Sequence, residues 1–388
     1  MAVKKKQLFV DVYDPATGLK ITSWLTANLN QFTKNINSGL SECILELPYN
    51  FDYAGADIAE GNEVKISISD NDTGGGVQRL IYWGYISMIE GMISDRQETM
   101  KVHLLGFQTM LALDIVRNSL DTTITFTAVD IGTIIRTIID YFKIANPLSK
   151  LSYTALTIPT VGQVITYTLY RTFYQDALDR VRAVAPPNYY FYIDENNVVN
   201  FKAKPTTPTH TFVLGKHFTS VQAQRGVEKI RNSLLLWNGL IGGSQIYKRY
   251  EDAGSIALYG RRTKIVDDNG VGNIATANML AANFLTENKD PEIVLTVEII
   301  DNTENTDGKG YDIESIQPGD TCSFIGFSEA FASRYLSANM LITSVVYTLD
   351  KVTLTIDPRN LGIVDWQDQT AKNALQNKSD DTPVTYTT

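Results

Sequence analysis

The sequence predicts a mainly β protein with α+β insertions, built around two similar β-units, the second of them interrupted. Three observations lead there. With 20 Tyr, 15 Phe and 4 Trp in 388 residues, and Thr and Val abundant, the composition is that of sheets and of protein interfaces. Segments of alternating apolar and polar residues recur, the period of a half-buried strand. The first hundred residues also return in outline near the end. Phe32-Thr33, Gly39-Leu40 and Ile44-Leu45-Glu46-Leu47, closing on Tyr49-Asn50, are echoed by Phe218-Thr219, Gly226-Val227 and Leu234-Leu235-Leu236, closing on Trp237-Asn238. Ile58-Ala59-Glu60-Gly61-Asn62-Glu63-Val64-Lys65-Ile66 and Ile316-Gln317-Pro318-Gly319-Asp320-Thr321-Cys322-Ser323-Phe324 both read as a turn feeding a strand. Each precedes a long strand pair, Leu80 to Glu90 with Met100 to Leu105, and Met340 to Leu349 with Val352 to Asp357. Duplication accounts for the echo; two antiparallel units sharing only turn chemistry would imitate it.

The first β-unit is placed at 1–112. Leu8 to Tyr13 is its first strand and Asp14-Pro15-Ala16-Thr17-Gly18 a turn, with Pro early and Gly last. The loop Asp70 to Gly76 reads as a hairpin tip between two strands. At 113–210 the pattern changes to an α+β subdomain. Asp130 is placed to cap a helix whose apolar stripe is Ile131, Ile134, Ile135, Ile138, Ile139 and Phe142. A second helix starts near Thr172, carries Phe173, Ala177, Val181 and Val184 on one stripe, and stops at Pro186-Pro187. Tyr189 to Ile193 and Val198 to Phe201 form a hairpin about Asp194-Glu195-Asn196-Asn197. The second β-unit is assigned to 211–240 and 291–360. The inserted segment between, 241–290, carries the turn Asp267-Asp268-Asn269-Gly270 and a helix from about Ala275 to Asn288 that buries Met279, Leu280, Phe284 and Leu285. A polar C-terminal tail, 361–388, completes the chain and is expected to be disordered alone.

Composition narrows the function. Hydrophobic residues at 44% and charged residues at 20% are globular values, and no apolar run approaches the roughly 18 residues of a membrane helix. Lys4, Lys5 and Lys6 read as a solvated terminus, and the strand that follows is not a signal-peptide core, so synthesis and folding in a cytosol are expected. Cys43 and Cys322 fall at equivalent stages of the two units and read as buried free thiols. The net charge of −9 argues against a nucleic-acid binder, which needs clustered Lys and Arg.

A search for catalytic chemistry finds no anchor, and no catalytic, cofactor or metal residue is assigned. His103, His210 and His217 are the three histidines; none has the spacing of a zinc hydrolase. His103 reads as a hydrogen-bonded sheet residue. His210 and His217 bracket the start of the second unit and are placed to pair, but with no evident carboxylate partner. There is no Gly-x-Ser-x-Gly elbow, and Gly74 to Gly76 and Gly239 to Ser244 lack the Lys-Ser/Thr ending of a phosphate loop. Asp70-Asn71-Asp72 and Asp301-Asn302-Thr303-Glu304 lack the twelve-residue calcium pattern. Tyr189, Tyr190 and Tyr192 are either a sugar-stacking platform or strand aromatics packed on the Ile131 to Phe142 helix, the second being simpler.

In sequence order, Val10 to Pro15, Ile58 to Ile66, Tyr82 to Ser87, Val102 to Phe107, Ala185-Pro186-Pro187 with Tyr190 to Asp194, Ala253 to Gly260 and Ile316 to Asp320 resemble the baseplate hub or tail-tip hub proteins of tailed bacteriophages, the T-even-like hub also found in contractile injection systems. These are fold-level features spread over almost the whole chain, none of them catalytic. The resemblance implies two β-barrel domains, the second discontinuous, with the α+β subdomain between them. It further implies a homotrimer whose six similar barrels present pseudo-sixfold symmetry to a hexameric tail tube and threefold symmetry to a tip or spike. The partners implied are the chain itself, a distal tail or tail tube protein, a tape-measure protein and a spike or tail-fibre protein. Genomic DNA would pass through without specific binding, the chain would not insert in a membrane, and its place would be the virion, at the tail tip or baseplate. The resemblance implies no enzyme, since no lytic domain follows Asn360. The alternative from another class is a receptor- or carbohydrate-binding tail protein using the Tyr-rich hairpin and the Gly-rich loops as a recognition face; a third is a peptidoglycan hydrolase of unrecognised type.

Overall fold

The computed structural model describes residues 6–24, 26–48, 58–69, 78–93, 98–118, 123–237, 247–301 and 309–357. Lys4 and Lys5, the loops 70–76 and 239–244, the segment 302–308 and the tail 361–388 lie outside the described residues.

Seven strands open the chain: β1 (Gln7–Tyr13), β2 (Lys20–Trp24), β3 (Asn28–Asn35), β4 (Gly39–Pro48), β5 (Glu63–Ser69), β6 (Arg79–Ile93) and β7 (Glu98–Gly106). The β1–β2 turn follows its sequence: the Asp14 carboxylate accepts from Ala16 N and Thr17 N, and Gly18 takes φ +68°. A 3-10 turn, Phe107–Ala112, leads into β8 (Thr123–Asp130), α1 (Ile131–Ala145), β9 (Val164–Tyr170), α2 (Tyr174–Val184), β10 (Tyr189–Ile193) and β11 (Val199–Ala203). Asp130 caps α1 by accepting from Gly132 N and Thr133 N, and all six expected apolar residues of that helix are buried. In α2 the residues Ala177, Val181 and Val184 are buried as expected, but Phe173 is the residue before the helix and is 44% exposed; Tyr174 and Leu178 take the buried stripe.

The remainder runs β12 (His210–Val213), β13 (Val221–Gly226), β14 (Ser233–Trp237), β15 (Tyr247–Glu251), α3 (Ala253–Tyr259), β16 (Thr263–Asp267), α4 (Ile274–Asn288), β17 (Glu292–Ile300), β18 (Thr321–Ile325), α5 (Glu329–Tyr335), β19 (Met340–Tyr347) and β20 (Lys351–Ile356). The short helices α3 and α5 were not expected. Asn273 caps α4 through Thr276 N at 2.8 Å, and Leu280 and Phe284 face the core with Met279 and Leu285 at its margin.

Strand outweighs helix, and one sheet dominates. Its order is β13-β17-β20-β19-β3-β4-β7-β6-β5-β1-β2, with β18 joined to β19 and β12 to β18. Both repeated units therefore lie in a single sheet, fused where β3 runs antiparallel to β19. Its buried side chains form one core, from Val10 to Ile356. A second core gathers α1, α2 and α4 with the pairs β8–β9 and β10–β11 and the three-stranded sheet β15-β14-β16. Between the two cores sit Ile36, Tyr190, Tyr192 and Leu341.

The echo divides into one half that holds and one that does not. Strand order β3-β4-β7-β6-β5 in the first unit matches β13-β17-β20-β19-β18 in the second. The counterpart of β4 is thus β17, with Thr296-Val297-Glu298-Ile299 standing for Ile44-Leu45-Glu46-Leu47, and not β14, which carries Leu234 to Leu236 in the other sheet. The cysteines are likewise not equivalent: Cys43 lies in β4 and Cys322 in β18, whose counterpart is β5. The units also differ at their outer edge, where β1 is antiparallel to β5 but β12 is parallel to β18.

Candidate functional site

The repeated feature with the most detailed geometry is a turn, a strand and a bulge. In the first unit Gly61 N donates to Ile86 O at 2.8 Å, Ile86 N donates to Asn62 O at 2.9 Å, and Asn62 N donates to Ala59 O at 3.1 Å. In the second, Gly319 N donates to Ile342 O at 2.7 Å, Ile342 N to Asp320 O at 2.9 Å, and Asp320 N to Gln317 O at 3.1 Å. Gly61 and Gly319 adopt φ +89° and +91°, a region open to glycine at little cost. One residue beyond Ile86 and Ile342 each strand has a β-bulge, at Ser87 and at Thr343. Each bulged hydroxyl donates to the carbonyl of the neighbouring strand, Ser87 Oγ to His103 O and Thr343 Oγ1 to Thr355 O, both at 3.0 Å. A bulge leaves a backbone group without its ladder partner, and a hydroxyl at that position restores the pairing.

Beyond its bulge, β19 is the seam of the molecule. Ser344, Val345, Val346 and Tyr347 pair with Asn35, Lys34, Thr33 and Phe32. Phe32 stacks on Tyr347 at 4.8 Å and meets Tyr82 edge-on at 5.6 Å. Lys34, 3% exposed, lies 5.1 Å from the Tyr347 ring, pairs with Glu195 at 3.0 Å and donates to Gln317 Oε1. The Tyr347 hydroxyl donates to Ile316 O, and that of Tyr190 to Gly319 O at 2.7 Å. Burial drives the Tyr347 hydroxyl well above its ordinary pKa and that of Tyr190 upward too, so both stay neutral donors. The seam therefore binds β3, the hairpin β10–β11 and the second-unit turn into one body.

The residues singled out in sequence fall largely into structural roles. Among the described residues no group of three or more His, Cys, Asp or Glu side chains is gathered as a metal site needs, and no helix is long and apolar enough to cross a membrane. His103 Nδ1 lies 2.6 Å from Glu42, with Glu90 at 3.5 Å from Nε2. His210 and His217 do not bond each other; they flank Tyr311 at 5.7 and 5.1 Å between ring centres. Contrary to the sequence reading, His210 has a carboxylate partner, Asp320 at 3.0 Å, and its other nitrogen meets the Tyr311 hydroxyl. Both thiols are free and buried; burial raises Cys43 and pushes Cys322 up to about 12. Tyr190 and Tyr192 are 2% and 9% exposed and turn toward the large sheet rather than toward α1, which their neighbours Phe191 and Ile193 face. Lys6 is not solvated: its ammonium is buried between Asp301, at 2.7 Å, and Glu314, tying the start of the first unit to the second.

A duplicated β-plan fused in one sheet, with an α+β layer against it, is the fold of phage tail proteins. The chain aligns over 91% of its length with the 43 kDa tail protein of prophage MuSo2 from Shewanella oneidensis, covering 98% of that chain with a TM-score of 0.58 at 12% identity. It is similar to the tail protein from Neisseria meningitidis MC58 (91% and 96% covered, TM-score 0.59, 11% identity) and to a prophage tail protein from Listeria monocytogenes EGD-e (94% and 98%, 0.55, 10%). No protein-family model and no curated protein sequence matches it. The hub resemblance read from the sequence thus holds at the level of fold.

Proposed function

We propose that this chain is a non-enzymatic structural hub of a phage tail tip or baseplate. Three copies close a ring in which six similar β-units face a sixfold tail tube, while the assembly stays threefold toward a spike or fibre. The observation that carries this reading is the hydrogen-bond-level duplication of turn, strand and bulge. Two near-equivalent units in one chain allow a threefold ring to offer six like surfaces, and heterologous contacts close such a ring. In this reading the chain divides into a first unit (1–112), an α+β subdomain (113–210), a second unit built from 211–226 and 291–357, and an inserted segment (227–290). β14 goes with the insertion because of its sheet. Each unit curls into a barrel within the ring. DNA passes the lumen unbound, helped by the net charge of −9. The tail protein, tape measure and spike or fibre are the expected neighbours in the virion. A receptor- or sugar-binding role for the Tyr-rich hairpin finds no support, since Tyr190 and Tyr192 are buried in the seam.

The test is the mass in solution by light scattering, with negative-stain class averages. Three times 43.2 kDa, with sixfold features on one face, is the expected result. A single-chain mass at every concentration, with retention on a glycan array, would favour the recognition reading instead.

A further inference from the structure

The seam inside one chain is a template for a contact between chains. Carrying the register across the duplication, β6 corresponds to β19, so that Met88, Ile89, Glu90 and Gly91 stand where Ser344, Val345, Val346 and Tyr347 stand. Strand β13 corresponds to β3, with Val221 at the place of Leu29 and Ala223 at that of Phe32. In the second unit β19 receives β3 along this edge. Among the described residues, the same edge of β6 in the first unit, beyond Ile86, has no partner strand, and β13 pairs only with β17. Among the described residues each chain therefore has one internal seam and the two unmatched halves of a second.

The side chains agree with an open edge at both halves. Lys34, Phe32, Val345 and Tyr347 are buried by the internal seam, whereas Met88 is 44% exposed and Glu90, Gly91, Gln224, Arg225 and Gly226 are exposed. Unpaired strand edges are templates for another strand. We infer that residues 88–91 of β6 pair antiparallel with residues 223–226 of β13 from a second copy of this chain, in the register of the internal seam. Glu90 then lies opposite Gln224, and Gly91 opposite Ala223. The direction is consistent around a ring: the strand path β13-β17-β20-β19-β3-β4-β7-β6 begins and ends on the two complementary edges, so copies join head to tail. This junction rests on the ring reading above and specifies its contact. It is also the weaker of the two seams, because Gly91 and Ala223 replace the stacked Tyr347 and Phe32.

The experiment uses the full-length chain. Glu90→Cys with Gln224→Cys places thiols at exposed positions across the junction, while Cys43 and Cys322 are buried. Under mild oxidation a non-reducing gel is expected to show covalent dimers and trimers and nothing larger, with neither single variant forming trimers. If light scattering reports three chains and no link forms, the junction is elsewhere and the ring stands. If the protein stays single and unlinked at all concentrations, the ring and the junction both fall. A second variant strengthens instead of probing: Gly91→Tyr with Ala223→Phe rebuilds the stacked pair, and a Cβ at Gly91 meets nothing within 4 Å. Its dissociation constant is expected to fall about tenfold; an unchanged or raised value contradicts the register.

Discussion

In the first β-unit the side of the sheet away from its core carries Glu42, His103 and Glu90; in the second, the same three places are held by Val294, Thr355 and Val346. Inward positions keep their character: Leu45 and Val297, Val102 and Leu354, Ile86 and Ile342 are all buried and apolar. Backbone groups keep their partners as well, down to the bulge hydroxyl. Buried surface and buried backbone polar groups are costly to leave unmatched, while an outward side chain is nearly free to change. The difference between the units shows which part of the repeat makes the fold and which part is left to distinguish one surface from the other.

The largest expected effect lies at the seam. Phe32→Ala removes a ring packed on Tyr347 and Tyr82 and should cost about 4 kcal/mol. Ala223→Gly at the equivalent place should cost about 1 kcal/mol or less. Urea unfolding measures both, and equal losses would break the equivalence of β3 and β13. Next comes the shared turn. A Cβ at Gly319 would lie 2.1 Å from the Tyr190 ring, whereas one at Gly61 meets nothing within 4 Å. Both sites have positive φ, so Gly61→Ala should lose about 1–2 kcal/mol through backbone strain alone, and Gly319→Ala about 3 kcal/mol or more as the packed ring is displaced. Thermal denaturation would expose a failure of this ranking.

Much of this was legible before the structure, and the divide follows range of interaction. The turn echo at Ile58 to Ile66 and Ile316 to Phe324 depends on a glycine, a local hydrogen bond and alternation, all written in neighbouring residues. In the sequence the echo of β4 falls on Leu234 to Leu236, because an apolar strand does not encode which sheet it joins; the true counterpart, Thr296 to Ile299, comes only after the inserted helix α4. The seam joins Phe32 to Tyr347 from opposite ends of the chain, as Lys6 joins Asp301, and no local pattern announces such a pair. Helices α3 and α5 span seven residues each, too few for a period to stand out. In the hairpin, alternation was plain, yet which face met α1 and which met the large sheet was not.

A smaller effect tests whether the bulges are the same device. Ser87→Ala and Thr343→Val each remove one hydroxyl donor to a strand carbonyl, and each should cost about 1 kcal/mol. Matching losses support a common origin for the two strand pairs. A cost confined to one unit would mean that the hydroxyl is ornamental in the other, and the register carried from β19 to β6 would lose its local anchor.

The smallest effect separates the units by pH. His103 is held above its ordinary value of 6.5, chiefly by its hydrogen bond to Glu42, with Glu90 adding and burial opposing; Thr355 at the equivalent place does not titrate. A folded-state pKa raised above the unfolded one gives stability that is complete below about pH 6.5 and is lost as pH rises through the folded value. His103→Asn should therefore lower the urea midpoint more at about pH 5.5 than at about pH 8, because the stabilisation fades as pH rises through the raised folded value. Thr355→Val should shift it equally at both. If the His103→Asn loss does not change with pH, the contact with Glu42 is an ordinary neutral hydrogen bond, and the charge that sets the first unit's outer face apart from the second's is carried by Glu42 and Glu90 alone.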